Sequence, residues 1–432
     1  MSHRSRQGRT LGGGQVKSAK FKDSPLGPIP QDWEVKRLGD LCEKIGSGAT
    51  PLGGASSYCQ TGIALIRSQN VVDTRFSFDG LAYINSDQAD ELANVEVLSK
   101  DVLLNITGDS VARVCTVPDS ALPARVNQHV CILRTIAKKC HYLYLAYRLV
   151  VEKKRLLAAA FGGGTRNALT KADVEAFTIP CPPLPEQQRI AEALGEVDKL
   201  IESLDEQIEK KSLIAKGVAH DLLSGAKRLP GFKGEWKSVR LGELSEIVTG
   251  GTPSTEVPAF WGGDIRWMNS GDVHLKRIHD VDGRITQLGY ASSNARLIPI
   301  GSVVIALAGQ GKTRGTVAIT ECELCTNQSI GAILPSEKHD SECLYYVLAM
   351  QYEKLRAASS GDGTRGGLSK KILEEYIVKL PVDIAEQQAI ADLLGEQDAA
   401  IAVLEEKREK YARIKEGMMR DLLTGKVRMK GE

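Results

Sequence analysis

The feature that most constrains the fold of this chain is an internal repeat. Residues 186–225 and 386–425 align without a gap and are identical at 20 of 40 positions. Shorter similarities precede both copies, so that "WEVKRLGDLCEKIGSGATP" from Trp33 is matched by "WKSVRLGELSEIVTGGTP" from Trp236. Repetition at a fixed distance is typical of duplicated structural units. We therefore expect two similar halves.

Each copy of the long repeat predicts a helix of about 38 residues, or about 57 Å at about 1.5 Å per residue. Apolar residues recur at spacings of four and three from Ile190 to Leu222, interrupted at Lys211. The second copy keeps much of this stripe but carries three polar residues on it: Gln397, Arg408 and Lys415. Two such heptad stripes in one chain predict helices that pair with each other, antiparallel. The polar positions weaken that expectation slightly, and a homodimeric coiled coil is the alternative.

The segments between the helices predict mixed lobes. Short apolar runs bounded by Gly or Asp, such as "DVLLNIT" and "GSVVIALAG", are typical of buried strands. The segments "YLYLAYRLVVEKKRLLAAAF" and "CLYYVLAMQYEKLRAAS" predict amphipathic helices. We therefore expect an α+β fold, in which two mixed α/β lobes are joined by two long antiparallel helices that form a coiled coil with a pseudo two-fold internal repeat. The expected divisions are a disordered basic tail (1–20), a first lobe (21–184), a central helix (185–228), a second lobe (229–384) and a C-terminal helix (385–428).

Composition excludes several classes of protein. Charged residues make up 25% and apolar residues 42% of the chain, as in ordinary globular proteins. The sequence contains no run of eighteen apolar residues, so we expect no membrane span. The basic N-terminus has no apolar segment behind it and does not resemble a secretory signal. Nine cysteines, an odd number, favour reduced thiols and a cytoplasmic location.

Two patterns resemble enzyme motifs without matching them. An adenine methyltransferase needs an Asp/Asn/Ser-Pro-Pro-aromatic loop, whereas the only Pro-Pro here lies in "CPPL" from Cys181. The segment "ALAGQGKT" (306–313) fits a loose phosphate-loop pattern, but the "RGTVAIT" that follows predicts a strand, where phosphate binding requires a helix. We therefore expect no catalytic residues. A nucleotide hydrolase is an alternative, but a DNA-facing loop with Lys312 and Arg314, or else a plain surface hairpin, is favoured over it at this segment.

One group of side chains has the spacing of a metal site. The pattern C-x2-C-x13-H-x3-C comprises Cys322, Cys325, His339 and Cys343. The first half of the chain has no counterpart, with Leu122 and Arg125 at the corresponding places. We therefore favour buried thiols over zinc and expect neither a metal nor a cofactor.

Several of these segments together resemble the specificity subunit of Type I restriction-modification systems. They are "IPQDWEVKRLGDL", "LPGFKGEWKSVRLGELSEIVTGGTPST", "WGGDIRW" and the two helix starts "EQQRIA" and "EQQAIA", so the resemblance covers residues 21–428. It implies a non-catalytic subunit whose lobes are target recognition domains, each of which reads one half of a bipartite, asymmetric site in double-stranded DNA. It also implies that the paired helices set the spacing of the half-sites and dock two modification (methyltransferase) subunits, which restriction subunits can join. A standalone sequence-specific DNA-binding protein, such as a repressor, is the alternative.

Within the lobes, polar and basic residues on predicted loops are the candidates for DNA contact. In the first lobe they are Arg67, Ser68, Gln69, Asn70, Arg113 and Arg166. In the second lobe they are Asn269, Ser270, His274, Lys276, Arg277, Lys312, Arg314 and Arg365. Four dipeptides are shared by the two lobes, and residues common to both cannot encode a difference in sequence: Asn127-Gln128, Asn327-Gln328, Thr165-Arg166 and Thr364-Arg365. We therefore expect these pairs to have framework or phosphate-binding roles.

Overall fold

A computed structural model describes residues 20–161, 167–309, 312–358 and 367–429. The chain forms two compact units, one made of Met1–Asp205 with Lys407–Glu432 and the other of Glu206–Glu406. Two helices of 40 residues each occur, at Leu184–Leu223 and Ile384–Leu423, close to the length that the repeats predict. Each unit therefore contains the first part of one long helix and the last part of the other.

The first unit contains fourteen described strands and five described helices ahead of the first long helix. The strands are β1 (Phe21–Lys22), β2 (Ile29–Pro30), β3 (Glu34–Arg37), β4 (Cys42–Ser47), β5 (Ile63–Ile66), β6 (Val71–Val72), β7 (Arg75–Phe76), β8 (Ala82–Ile84), β9 (Glu96–Val97), β10 (Val102–Asn105), β11 (Val114–Thr116), β12 (Ala124–Val126), β13 (Val130–Thr135) and β14 (Thr178–Cys181). The helices are α1 (Leu38–Leu41), α2 (Ser86–Glu91), α3 (Tyr142–Val151), α4 (Lys153–Phe161) and α5 (Lys171–Ala176), followed by α6 (Leu184–Leu223).

The second unit repeats this arrangement with eleven described strands. They are β15 (Trp236–Arg240), β16 (Ile247–Thr249), β17 (Trp261–Met268), β18 (Arg277–Ile278), β19 (Arg284–Ile285), β20 (Leu297–Ile298), β21 (Val303–Ala306), β22 (Val317–Thr320), β23 (Leu324–Thr326), β24 (Ile330–Ile333) and β25 (Ile377–Pro381). Its helices are α7 (Leu241–Leu244), α8 (Gln287–Ala291), α9 (Ser341–Met350), α10 (Tyr352–Ala357) and α11 (Lys370–Glu375), followed by α12 (Ile384–Leu423).

The two units share one sheet topology. The order β11-β10-β13-β4 of the first unit corresponds to β22-β21-β24-β16 in the second, where β18 is added at the edge. The order β8-β5-β12-β9 corresponds to β19-β17-β23-β20. In both units one central pair of the second sheet is parallel, β5 with β12 and β17 with β23. The predicted α+β fold with an internal repeat is confirmed.

The predicted buried strands and lobe helices are also present, with one difference. Each predicted amphipathic segment forms two successive helices, α3 with α4 and α9 with α10. In the first unit the break falls at Glu152, which is buried and accepts hydrogen bonds from Arg148 and Arg155. Burial of a carboxylate at this position requires those partners, and sequence periodicity does not reveal them.

Antiparallel pairing of the long helices is visible within each unit. In the first unit, Ile190 and Leu194 of α6 share a core with Leu422 and Leu423 of α12. The second unit has the reverse combination, in which the end of α6 packs with the start of α12. The apolar stripe therefore serves the pairing of two helices of the same chain, as the repeats predict.

A carboxylate at the start of each helix is bound by an arginine that follows the end of the other. In the first unit, Arg428 donates to both Glu186 carboxylate oxygens at 2.8 and 2.7 Å, and Trp33 Nε1 donates to the same group at 3.1 Å. In the second unit, Arg228 binds Glu386 in the same manner at 2.5 and 2.6 Å. Both glutamates are buried, so the repeated "EQQ" sequence marks a buried ion pair that joins the two helices.

The polar residues on the stripe of α12 do not weaken the pairing as expected, because two of them meet acids of α6. Arg408 binds Asp205 at 3.0 Å, and Lys415 Nζ lies 2.5 Å from Asp198 Oδ1. Lys415 also donates to Thr74 and lies over the ring of Tyr147. The departure from an apolar heptad is therefore compensated by charge pairing.

All nine cysteines are free. In the parts of the chain that the structure describes, no helix is long and apolar enough to cross a membrane.

We predict that the Lys415–Asp198 pair contributes measurably to the first unit. Its side chains are 12% and 23% exposed, so removal of either charge leaves the other poorly solvated. Lys415→Ala should cost about 1–2 kcal/mol, seen as a fall of about 2–6 °C in Tm. Lys407→Ala, at an exposed position of the same helix, is the control and should change Tm little.

The measurement is thermal unfolding of the single variants and of the double variant with Asp198→Asn. If the Tm of the double variant is no lower than that of the less stable single variant, Lys415 and Asp198 are energetically coupled. Strictly additive losses would contradict the pairing.

Candidate nucleic-acid interface

One edge of the first unit gathers the ends of several strands. Because β5 and β12 are parallel, the segments after Ile66 and Val126 leave the sheet on the same side. The backbone N–H of Asn127 donates to the Ile66 carbonyl at 3.0 Å, and Asn105 at the end of β10 pairs with Val130. We name segments 47–52, 67–70, 105–113 and 126–130 the recognition edge of the first unit.

The second unit has the same edge, built from segments 249–254, 269–272, 306–309, 312–314 and 326–330. Asn327 donates to the Met268 carbonyl at 2.9 Å, as Asn127 does to Ile66. A glycine brings the first segment close to the sheet in both units, since a Cβ atom on Gly48 would lie 1.8 Å from a backbone oxygen of β12, and one on Gly250 would lie 1.7 Å from that of β23. Only glycine allows this approach.

The dipeptides common to both lobes hold the edge together. Asn127 Oδ1 accepts the N–H of His129 at 3.0 Å, and Asn327 makes the same bond in its unit. Gln128 accepts from Thr50 at 2.6 Å, and Gln328 accepts from Thr252 at the same distance. These contacts support the expected framework role. The other shared pairs, which include Arg166 and Arg365, lie outside the described residues.

In the first unit, the candidates Arg67, Gln69 and Asn70 form a turn that binds a neighbouring loop. Arg67 Nη2 donates to the Gly80 carbonyl at 2.5 Å, and Gln69 donates to the same carbonyl at 3.2 Å. Asn70 is fully buried. Its Oδ1 accepts the Arg67 N–H, and its Nδ2 donates to the Ser77 carbonyl. Asn70 is thus a positioning residue, and the prediction that it contacts DNA does not fit its burial. Gln69 remains exposed, and Ser68 is half-buried.

The equivalent turn of the second unit keeps the geometry and changes the residues. Asp272 accepts the N–H of Asn269 at 3.0 Å, which is the role of Asn70 in the first unit. Asn269 is exposed, and its Oδ1 accepts from Gly271 at 2.7 Å. His274 is also exposed, and its Nδ1 lies 2.5 Å from the Gly271 carbonyl. Ser270 is half-buried. Within the described residues, the Asn269 amide nitrogen makes no hydrogen bond and is available to a ligand.

The structure places Arg277 elsewhere. Arg277 pairs with Ile319 of β22, and Ile319 in turn pairs with Val303 at the start of β21. The recognition edge lies at the other end of β21. The Arg277 guanidinium donates to both oxygens of Glu342 at 2.8 Å and to Glu321 at 3.2 Å. The bond to Glu342 raises the pKa of Arg277 further above its ordinary value. That Arg277 contacts DNA stays a prediction, and it does not fit a guanidinium that Glu342 and Glu321 hold inside the unit. Lys276 beside it is exposed.

The loops after β10 and β21 carry the remaining basic candidates. Arg113 is half-buried, and its carbonyl accepts the Asn105 N–H at 2.9 Å. Lys312 is exposed, and its carbonyl accepts from the Tyr352 hydroxyl at 2.8 Å. Arg314 is half-buried. The segment that follows is strand β22 and not a helix, so the loop lacks the helix N-terminus that a phosphate loop requires.

Two tyrosine–aspartate pairs were not singled out from the sequence. Tyr147 donates to Asp198 at 2.6 Å, and Tyr346 donates to Asp398 at 2.8 Å. Both aspartates lie on the long helices, so the pairs join each lobe to its helix. Burial first, and then the bond to the carboxylate, raise the pKa of each tyrosine. The sequence could have indicated these two pairs, because the tyrosines and the aspartates occupy matching places in the repeat.

The cysteine and histidine residues that have the spacing of a zinc site in the second lobe are not arranged around a common point in the described residues. His339 Nδ1 lies 3.0 Å from Ser336 Oγ, and burial lowers the pKa of His339 to about 4. In the described ranges, no group of three or more His, Cys, Asp or Glu side chains is arranged to hold a metal.

We predict that Arg277→Ala destabilises the second unit without altering any base preference. Loss of charge-assisted bonds to Glu342 and Glu321 should cost about 2 kcal/mol, measured as a lower Tm. Arg296→Ala is the control, since Arg296 and its partner Glu246 are 63% and 66% exposed and contribute little. An unchanged Tm together with relaxed specificity at one base pair would show instead that Arg277 reads DNA.

Comparison with known proteins identifies the family. The model of the Type I restriction modification DNA specificity domain matches twice, at residues 30–211 and 233–412. The MjaVIII type I restriction enzyme specificity subunit of Methanocaldococcus jannaschii is 26% identical over 432 residues, covering 96% of this chain and 97% of that protein. The EcoR124I/EcoR124II specificity subunit of Escherichia coli is 26% identical over 250 residues, covering 55% and 59%.

A solved structure shows the same fold. The S subunit of a Type I restriction-modification system from M. genitalium has a TM-score of 0.65 at 16% identity, and the match covers 94% of this chain and 99% of that one. Two family domains in one chain account for the duplicated topology. The chain belongs to the family of Type I restriction-modification DNA specificity subunits.

Proposed function

We propose that this chain selects a bipartite, asymmetric DNA sequence for a Type I restriction-modification complex, in which each lobe, 21–184 and 229–384, is a target recognition domain that reads one half-site. The observation that carries the proposal is that the two recognition edges share one framework and differ in the residues they expose. Asn127 and Asn327 make the same bonds. The turns beside them present Gln69 in one unit and Asn269 in the other.

The exposed residues have the chemistry that DNA reading requires. The amide nitrogen of Asn269, which makes no hydrogen bond to any described residue, suits a base edge, since Asn and Gln side chains pair with adenine in the major groove. Gln69 and His274 are further base-contacting candidates, whereas Lys312, Arg113 and Arg314 on the recognition edges suit phosphates. Lys276 adjoins Arg277 at the other end of β21 and is not favoured. Ser68 and Ser270, which are half-buried at the start of the turns, are secondary candidates.

We further propose that the long helices bind two modification subunits, which restriction subunits then join. Residues 186–225 carry nine acids and five bases, and residues 386–425 carry nine acids and six bases, so neither helix favours DNA. Four apolar side chains on these helices are 40–63% exposed: Leu213, Ile214, Val403 and Ile414. Ile214 and Ile414 are equivalent in the repeat and belong to different units. This exposed isoleucine occurs once in each unit, which supports two copies of one partner, whereas Leu213 and Val403 have Arg413 and Ser203 at the equivalent positions.

We predict that the chain has no methyltransferase activity of its own. The purified chain should transfer no methyl group from S-adenosylmethionine to DNA, and added modification subunits should give methylation at one bipartite site. Methylome sequencing of cells with and without this gene identifies the site, which should disappear with the gene. Robust transfer by the chain alone would refute the assignment. Tight specific binding that leaves the methylome unchanged would favour a standalone DNA-binding protein.

The spacing of the half-sites is proposed to depend on helix length. Four residues inserted after Glu209 add about 6 Å to α6 and about 40° of rotation. B-DNA rises about 3.4 Å per base pair, so the spacer should lengthen by one or two base pairs while both half-sites keep their sequence. Methylome sequencing of the variant measures both quantities. An active complex with an unchanged spacer would refute this role, because modification subunits would then fix the distance.

A further inference from the structure

Leu52 is the most exposed large apolar side chain in the described parts of the chain. It is 91% exposed, whereas the other large apolar residues on the surface range from 40% to 63%. Single surface leucines are common and need no explanation by themselves. The position of this one and the rigidity of its loop distinguish it.

Leu52 lies at the corner of an ordered turn. The Gly54 N–H donates to the Pro51 carbonyl at 3.0 Å, and Gly53 has φ 89° and ψ −8°. This is a type II turn with Leu52 at its first central position, where a side chain projects outward. Ser56 Oγ donates to the Gly53 carbonyl at 2.7 Å and closes the loop further. The leucine is therefore held out in a fixed place, which reduces the entropy that binding costs.

The turn is anchored at both ends to the recognition edge. Before it, Thr50 donates to Gln128 at 2.6 Å. After it, Tyr58 lies under the guanidinium of Arg67, which is 5.3 Å from the ring centroid. Leu52 thus projects from the same edge as the turn that carries Gln69.

The second unit has no equivalent leucine. The sequence "TPLGG" from Thr50 corresponds to "TPSTE" from Thr252, so Ser254 stands where the first unit has Leu52. The carbonyl of Ser254 accepts from Trp261 Nε1 at 3.1 Å. The threonine that anchors the loop is kept, and the apolar tip occurs in one unit only. A framework residue would occur in both.

We propose that Leu52 is a wedge that inserts between two stacked base pairs of the half-site read by the first unit. This inference rests on the proposed function. Apolar side chains that enter a base step unstack it and kink the duplex, and the cost depends on the step. Pyrimidine–purine steps unstack most easily, so the wedge selects such a step without a hydrogen bond to any base. The first unit therefore reads part of its half-site through DNA deformability.

The test uses the complex of the full chain with its modification subunits and duplexes that carry the methylated site. 2-Aminopurine is placed at successive positions of both half-sites, apart from the methylated adenines. The wild-type complex should raise 2-aminopurine emission several-fold at one step of one half-site. Leu52→Ser, which supplies the residue of the second unit, should abolish that rise and weaken cognate binding about tenfold, equivalent to about 1.4 kcal/mol. Leu52→Met should retain both.

Leu98→Ser is the matched control. Leu98 is 43% exposed and precedes β10, at the end of that strand away from the recognition edge, so its loss should leave emission unchanged. No unstacked step in the wild type, or an unchanged step in Leu52→Ser, would overturn the wedge while bipartite recognition stands. Failure of Leu52→Ser to assemble with modification subunits would overturn it by identifying a protein contact. A wild-type complex that binds no specific duplex would refute the proposed function and the wedge with it.

Discussion

The rest of the structure depends on the ion pairs that bind the start of each long helix to the segment after the other. Glu186 and Glu386 are buried, which is costly for a carboxylate unless its oxygens are hydrogen-bonded. Arg428 and Arg228 supply bidentate bonds, and each arginine lies over a tryptophan at 5.7 Å. Each unit needs residues from both helices to complete this arrangement. Each unit is therefore completed by residues from both copies of the repeat.

This arrangement separates what the two halves share from what distinguishes them. Shared residues lie where they hold the framework, as with the Tyr147–Asp198 and Tyr346–Asp398 pairs between lobe and helix. Residues that differ lie on the recognition edge, where one turn is closed by Asn70 and the other by Asp272. Because the turn geometry is kept, exposed side chains can change without loss of the fold. Such a design suits a protein whose halves must read different sequences.

The sequence predicts the large elements well for a physical reason. Heptad stripes and short apolar strands are local patterns, and the repeat doubles each signal. The site is less predictable, because it depends on contacts between distant residues. Arg277 looks like a DNA-contacting arginine until Glu342, 65 positions away, is placed beside it. Lys415 looks like a defect in an apolar stripe until the antiparallel register brings it to Asp198. Asn127 and Gln128, with their equivalents Asn327 and Gln328, could be given a framework role from sequence because the repeat marks them as shared.

Each lobe is proposed to specify one half-site independently of the helices. The most direct measurement is methylome sequencing after residues 229–384 are replaced by the corresponding lobe of another specificity subunit, with both long helices left intact. One half-site should change to that of the donor, while the other half-site and the spacer stay as they were. A change in both half-sites, or in neither, in an active complex would contradict it.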